Sequence, residues 1–76
     1  MRKLTFVEKS DLLERYAKAY QKVGLRRGQS LFNSLAKIDS SLANEIVGTD
    51  IDCFYRDDLA VDFVIAVLQR WYKECN

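Results

Sequence analysis

The chain of 76 residues contains no histidine, no proline and only two cysteines, and these absences limit its chemistry. Histidine is a frequent metal ligand and acid–base group near neutral pH, and structural zinc sites use four cysteine or histidine ligands. Two cysteines also make no disulfide framework, so Cys53 and Cys75 are predicted to be small apolar residues in a reducing compartment. We therefore expect no metal, no cofactor and a cytoplasmic location.

Long hydrophobic runs and glycine-rich loops are absent as well. The longest apolar run, Phe63 to Leu68, has six residues, whereas a membrane-spanning helix needs about 20. Acidic and polar residues interrupt the basic start before an apolar region of signal-peptide length forms, so we expect neither a signal peptide nor a membrane partner. The segment Arg27–Ser30 has one glycine and lacks the repeated glycines of a dinucleotide-binding loop.

Catalytic and calcium-binding patterns are missing too. The sequence has no Gly-x-Ser-x-Gly elbow, and a domain this small encloses little cleft. Counted from Asp50, a calcium loop would need an oxygen ligand, a glycine and a glutamate where Phe54, Tyr55 and Val61 stand. We predict that the protein is not an enzyme, has no catalytic or metal-binding residue, and uses its aspartates in caps and turns.

What the sequence does contain is charge, unevenly distributed behind a net charge of +1. Residues 1–27 carry eight basic and three acidic residues, whereas residues 28–62 carry two basic and seven acidic residues. This distribution predicts a bipolar molecule, with a basic first third and an acidic middle.

Capping signals and apolar spacing predict the first helix. Thr5-x-x-Glu8 has the form of a capping box, and Gly24 supplies a stop. Between them the apolar face recurs at three- and four-residue steps: Leu13, Tyr16, Ala17, Tyr20 and Val23.

Three more helices are predicted in the remaining sequence. The second covers Gly28–Lys37, the third covers Ser40–Val47 behind the cap Asp39, and the last covers about Leu59–Glu74. Asp57 or Asp58 is expected to cap the last helix. Residues expected to point inward are Leu31, Phe32, Leu35, Ile38, Leu42, Ala43, Ile46 and Val47. The predicted fold class is therefore all-α, a small single-domain bundle of about four helices over residues 1–76.

The last helix is apolar over most of its circumference. One stripe comprises Ala60, Phe63, Val64, Val67, Leu68 and Trp71. A second, here called the outer stripe, comprises Val61, Ile65, Leu68 and Tyr72. A helix with two apolar faces is either central in a bundle or shared with another molecule. The outer stripe is thus a candidate homodimer interface.

Two charged surfaces are candidate binding sites. The basic row of Arg15, Lys18, Lys22, Arg26 and Arg27 could follow a nucleic-acid backbone, and its alternative is a solvated helix face. The acidic turn of Asp50, Asp52, Tyr55, Asp57 and Asp58 suits recognition of a protein, because an aromatic side chain offers contact area and acids steer a basic partner. The alternative for Phe54 and Tyr55 is that they close the end of the bundle.

The amides Gln29 and Asn33 stand one helical turn apart beside the second helix's apolar residues. We predict that they hydrogen-bond to the backbone of the following turn and hold it on the helix, so that the structural set is Gln29, Asn33, Gly48, Thr49 and Phe54.

At these residues the chain resembles a small, uncharacterised family of bacterial and bacteriophage proteins. The similarity covers residues 25–58, with a Gly-Gln-x-Leu-Phe-Asn-x-Leu helix (Gly28 to Leu35) and a Gly-Thr-Asp-x-Asp-x-Phe-Tyr turn (Gly48 to Tyr55). Cys53 stands where that pattern has proline. The resemblance implies no activity, only a phage or prophage setting in which short proteins bind and block host proteins. The leading hypothesis is a non-enzymatic protein-binding module that inhibits a host defence or nucleic-acid-handling protein, and nucleic-acid binding is the alternative.

Overall fold

The computed structural model describes residues 4–75, which fold into four α-helices with no strand in that range. The helices are α1 (Phe6–Lys22), α2 (Arg27–Ile38), α3 (Ser40–Ile46) and α4 (Ala60–Cys75), with a short 3-10 helix, Asp57–Leu59, directly before α4. This confirms the all-α bundle of about four helices. No helix among the described residues is long and apolar enough to cross a membrane.

Helix α1 begins and ends as its sequence predicts. The Thr5 side chain accepts a hydrogen bond from the Glu8 amide at 3.1 Å, and the Glu8 carboxylate accepts one from the Thr5 amide at 3.0 Å. At the other end Gly24 has a φ of +98°, and the Leu25 amide reaches back to the Tyr20 carbonyl. This Schellman arrangement supplies donors to carbonyls that the last turn leaves unpaired.

Helices α2 and α3 meet at Asp39, whose carboxylate has two partners. One oxygen accepts from the Leu42 amide at 3.2 Å and caps α3, as predicted. The other accepts from the indole nitrogen of Trp71 in α4 at 3.0 Å. A local capping residue thus also joins the start of α3 to the far end of α4.

The core contains most of the residues predicted to point inward. Its buried hydrophobic members are Leu13, Ala17, Leu31, Leu35, Leu42, Ala43, Ile46, Cys53, Ala60, Phe63, Val67 and Trp71. Val23 and Val47 were predicted to be buried, and this is wrong: their exposed fractions are 76% and 56%. Each is the C-cap of its helix. The backbone leaves the helical path there, so a side chain three or four residues after a buried one no longer points inward.

Two serines in α2 are fully buried, which the sequence did not predict. The Ser30 hydroxyl donates to the Arg26 carbonyl at 2.7 Å, and the Ser34 hydroxyl donates to the Ser30 carbonyl at 2.6 Å. Each hydroxyl is satisfied by its own helix, so its burial carries little desolvation penalty. Small buried side chains let a neighbouring element approach α2 closely.

The two apolar stripes of α4 differ in burial. Ala60, Phe63, Val67 and Trp71 are buried, and Val64 and Leu68 are partly buried against the core. Val61, Ile65 and Tyr72 of the outer stripe are exposed. The prediction that Asp57 or Asp58 caps this helix is wrong: both aspartates lie inside the 3-10 helix that precedes α4, which begins after Arg56 and has no side-chain cap.

Candidate functional site

The segment between α3 and α4 is attached to the first turn of α2 through Gly28. The Gly28 amide donates to the Asp57 carboxylate at 3.0 Å, and its carbonyl accepts from the Cys53 thiol at 3.3 Å. A Cβ added at Gly28 would lie 2.0 Å from the Cys53 carbonyl oxygen. The two backbones therefore approach more closely than any side chain allows, and Asp57 binds an unpaired amide of α2 instead of capping its own helix.

Asp52 holds the inside of this segment. Its carboxylate accepts from the Gly48 amide at 2.8 Å and from the Phe54 amide at 3.0 Å. The Thr49 hydroxyl donates to the Ile46 carbonyl at 2.6 Å, and the Arg56 amide donates to the Cys53 carbonyl at 3.1 Å. A short carboxylate side chain that bonds neighbouring amides is a common way to fix a turn.

Gln29 and Asn33 do not hold this turn. Neither amide side chain makes a hydrogen bond to it within residues 4–75. The links to α2 come instead from Gly28, from the guanidinium of Arg26, which donates to the Phe54 carbonyl at 3.1 Å, and from a ring contact of Phe32. The other three members of the predicted structural set do hold the turn. Gly48 bonds to Asp52, Thr49 to Ile46, and Phe54 to Arg26.

Four aromatic rings lead from the core to the surface at this turn. Phe63 is fully buried, and its centroid lies 6.1 Å from that of Phe32. Phe32 meets Phe54 edge to face at 5.8 Å, and Phe54 meets Tyr55 edge to face at 4.8 Å. Tyr55 ends the series with 77% of its surface exposed. Phe54 therefore does help to close the bundle, whereas Tyr55 projects from it.

The aspartates of the acidic turn differ in what they do. Asp52 and Asp57 bind backbone amides, as described above. Asp58 forms a two-point ion pair with Arg56, with nitrogen–oxygen distances of 2.9 and 2.7 Å, and these hydrogen bonds lower the pKa of the Asp58 carboxyl from its ordinary value. Asp50 is exposed and makes no hydrogen bond or ion pair with another described residue. The carboxylates remain largely at the surface, but most have a structural partner.

The basic row is only partly available for a nucleic acid. Arg15 pairs with Asp11 at 3.0 Å and Lys18 with Glu14 at 3.2 Å, both along α1. Arg26 is bound to the Phe54 carbonyl. Lys22 and Arg27 are exposed and form no ion pair within the described range. Because Arg26 touches the turn, the basic and acidic parts of the chain adjoin here, and the predicted bipolar separation does not hold at this place.

Cys53 is fully buried beneath the turn, in agreement with its prediction as a small apolar residue. Burial is the main cause that raises the pKa of its thiol to about 11. A thiol with that pKa is almost entirely protonated near neutral pH and is therefore a poor nucleophile and metal ligand. The side chain of Cys75 lies outside the described part of the structure.

The exposed face of α4 is the second candidate surface. Val61, Ile65 and Tyr72 are exposed at 60%, 50% and 60%, and Tyr72 meets Phe6 of α1 edge to face at 5.7 Å. A shallow groove beside Tyr72 is lined by Phe6, Leu68, Gln69, Tyr72 and Lys73. On the opposite border of the helix Arg70 pairs with Glu45 of α3.

Neither surface has the features of a metal centre. Within residues 4–75 no group of three or more cysteines, aspartates and glutamates is arranged so that it could hold a metal ion. No protein-family model matches the chain, and no significant match was found among curated proteins or among solved structures. The resemblance to a bacterial and bacteriophage family stays a prediction.

Proposed function

We propose that this protein is a small, non-enzymatic binding module that recognises another protein through the turn around Tyr55. The observation that carries the proposal is that the exposed ring of Tyr55 lies on a backbone segment held in place by hydrogen bonds. Tyr55 is 77% exposed, while the residues beside it are fixed to α2 by the bonds of Gly28 and Arg26. An aromatic side chain on a backbone that is already ordered loses little entropy on binding, which is a property of interface anchor residues.

The charges around Tyr55 fit the rim of such an interface. Asp50, Asp57 and the Arg56–Asp58 pair are exposed around the turn. Charges at a rim change the association rate and the choice of partner more than the affinity, and an acidic rim favours a basic partner. In the phage or prophage setting that the resemblance implies, the partner would be a cytoplasmic host protein of a defence or nucleic-acid-handling complex, which the module blocks.

Affinity capture from bacterial extract with matched variants tests this proposal. We expect the wild-type chain to retain a specific protein, Tyr55→Ala to lose it, and Val47→Ala to retain it. Val47 is the control because it is also an exposed apolar residue, at 56%, and is part of neither the turn around Tyr55 nor the outer stripe of α4. Far-ultraviolet circular dichroism of each variant checks that the fold is intact. Retention of the same protein by a folded Tyr55→Ala variant contradicts the proposal.

The alternative function, nucleic-acid binding, depends on Lys22 and Arg27, the basic-row residues whose side chains form neither an ion pair nor a hydrogen bond with another described residue. Phosphate neutralisation by such residues gives strongly salt-dependent affinity. The proposal predicts no binding of labelled duplex or single strand at low salt. Binding that disappears with Lys22→Glu or Arg27→Glu, but not with Tyr55→Ala, would favour the alternative.

A further inference from the structure

The charged residues of α4 fall into two classes. Of the four, Arg70 pairs with Glu45 and Glu74 pairs with Lys9 at 3.7 Å. Asp62 and Lys73 are exposed and have no ion pair with any described residue. They are 11 residues apart on the same flank of the helix, about 16 Å along its axis, so they cannot pair with each other within one chain.

This flank borders the outer stripe. At 100° per residue Asp62, Gln69 and Lys73 lie on one side of the line through Val61, Ile65 and Tyr72. The helix therefore presents an exposed apolar strip with an acid beside its beginning and a base beside its end. A second helix that carries the same pattern in the opposite direction would be complementary to it.

We propose that the occupant of this face is a second copy of the chain, with the two α4 helices antiparallel about a two-fold axis between Ile65 and Leu68. In that register Val61 of one copy lies opposite Tyr72 of the other. It can then enter the groove lined by Phe6, Leu68, Gln69, Tyr72 and Lys73. A two-fold axis repeats this contact, as isologous dimers require.

The charges of Asp62 and Lys73 favour an antiparallel arrangement of the two α4 helices. In an antiparallel pair the same flanks of the two helices face each other, so Asp62 of one copy comes within two residues, about 3 Å along the axis, of Lys73 of the other. The pair forms twice by symmetry. The outer stripe supplies apolar burial, and the two ion pairs select the antiparallel register against others, which is the usual contribution of flanking charges.

Sedimentation equilibrium over a range of micromolar concentrations tests the dimer. We expect the wild-type mass to rise from one chain toward two, and Val61→Glu to remain monomeric. Val47→Glu is the matched control, since Val47 is a valine of similar exposure (56% against 60%) outside α4. A wild-type mass of one chain at every concentration, or equal dimerisation of the two valine variants, overturns the proposal.

A charge exchange tests the register and does not depend on the apolar substitution. Asp62→Lys alone and Lys73→Asp alone should each weaken self-association roughly tenfold, because two attractive pairs become repulsive. An equimolar mixture of the two variants should restore the dimer, because opposite charges then face each other at both positions. Failure of the mixture to associate more strongly than either variant alone overturns the antiparallel register.

Discussion

At the scale of single residues, Gly28 has the greatest effect on the candidate site. It is buried, it binds Asp57 and Cys53 through its backbone, and it leaves the space that the Cys53 carbonyl occupies. Its φ is not in the left-handed region, so what requires glycine is the close approach of another backbone. Gly24 and Gly48 differ from Gly28, because both have a positive φ and open space where a Cβ would lie.

This distinction predicts different costs for three alanine substitutions. Gly28→Ala should lower the free energy of unfolding by about 3 kcal/mol, because the added Cβ must displace the turn. Gly24→Ala and Gly48→Ala should each cost about 1 kcal/mol, the strain of a left-handed alanine. Urea unfolding followed by the fluorescence of Trp71, the only tryptophan, measures all three. Equal losses for the three variants would contradict the close approach.

Cys53 gives a second prediction at this scale. The pKa of its thiol is raised to about 11 by burial, so folding favours the protonated form. The stabilisation that results is complete below the unfolded-state pKa of 9.0 and is lost as pH rises toward 11. Cys53→Ala has no thiol at this position and does not lose this stabilisation. The difference in free energy of unfolding between wild type and variant should therefore shrink between pH 9 and 11.

The same burial should protect the thiol from reagents. In a Cys75→Ser background, which leaves Cys53 as the only thiol, reaction with a disulfide reagent at pH 8 should be slow and should speed up with urea. A thiol that reacts at the rate of an unfolded peptide would show that the turn does not cover Cys53.

At the scale of elements, Asp39 joins three helices. It ends α2, caps α3 through the Leu42 amide and binds the Trp71 indole of α4. Trp71 is fully buried, so the carboxylate satisfies a donor that has no access to water. Removal of the carboxylate therefore loses a helix cap and leaves a buried N–H without an acceptor.

We expect Asp39→Ala to lower the free energy of unfolding by about 2–4 kcal/mol, from the cap and the unpaired indole together. Asp39→Asn should have an intermediate effect, because asparagine still caps α3 but its single side-chain oxygen cannot serve both donors. Urea unfolding followed by circular dichroism provides the comparison. Wild-type stability of Asp39→Asn would mean that the Trp71 bond contributes nothing.

At the scale of the whole molecule, the features that the sequence predicts are the helices and their ends, because these depend on residues close together in the chain. Thr5, Glu8, Asp39, Gly24 and Gly48 mark helix ends with side chains or conformations that act over a few residues, and the helices follow them. Periodicity likewise separates the two stripes of α4. The predicted apolar faces fail only at Val23 and Val47, where helical spacing continues in the sequence after the helix has ended.

The candidate site was less predictable, because its contacts join distant parts of the chain. Asp57 binds an amide 29 residues away, and Cys53 binds a carbonyl 25 residues away. The amide side chains of Gln29 and Asn33 predict a link to the turn, whereas the backbone of the preceding residue, Gly28, makes the contacts to Asp57 and Cys53. Spacing within one helix indicates a face, but it does not identify which loop packs on that face.

Two separate surfaces emerge from this fold. The turn around Tyr55 is proposed to bind another protein, and the outer stripe of α4 is proposed to bind a second copy. They lie on different elements, so one chain can use both. A dimer would present two Tyr55 rings, and two linked sites bind a multivalent partner more tightly than one.

Site-specific photo-crosslinking in cells tests the central proposal most directly. A photoreactive phenylalanine analogue is placed at position 55, and in a control chain at the exposed position 47. We expect a discrete crosslinked protein at position 55 and none at position 47. No crosslink at position 55, or a crosslink to nucleic acid there, would contradict the proposal that Tyr55 anchors a protein partner.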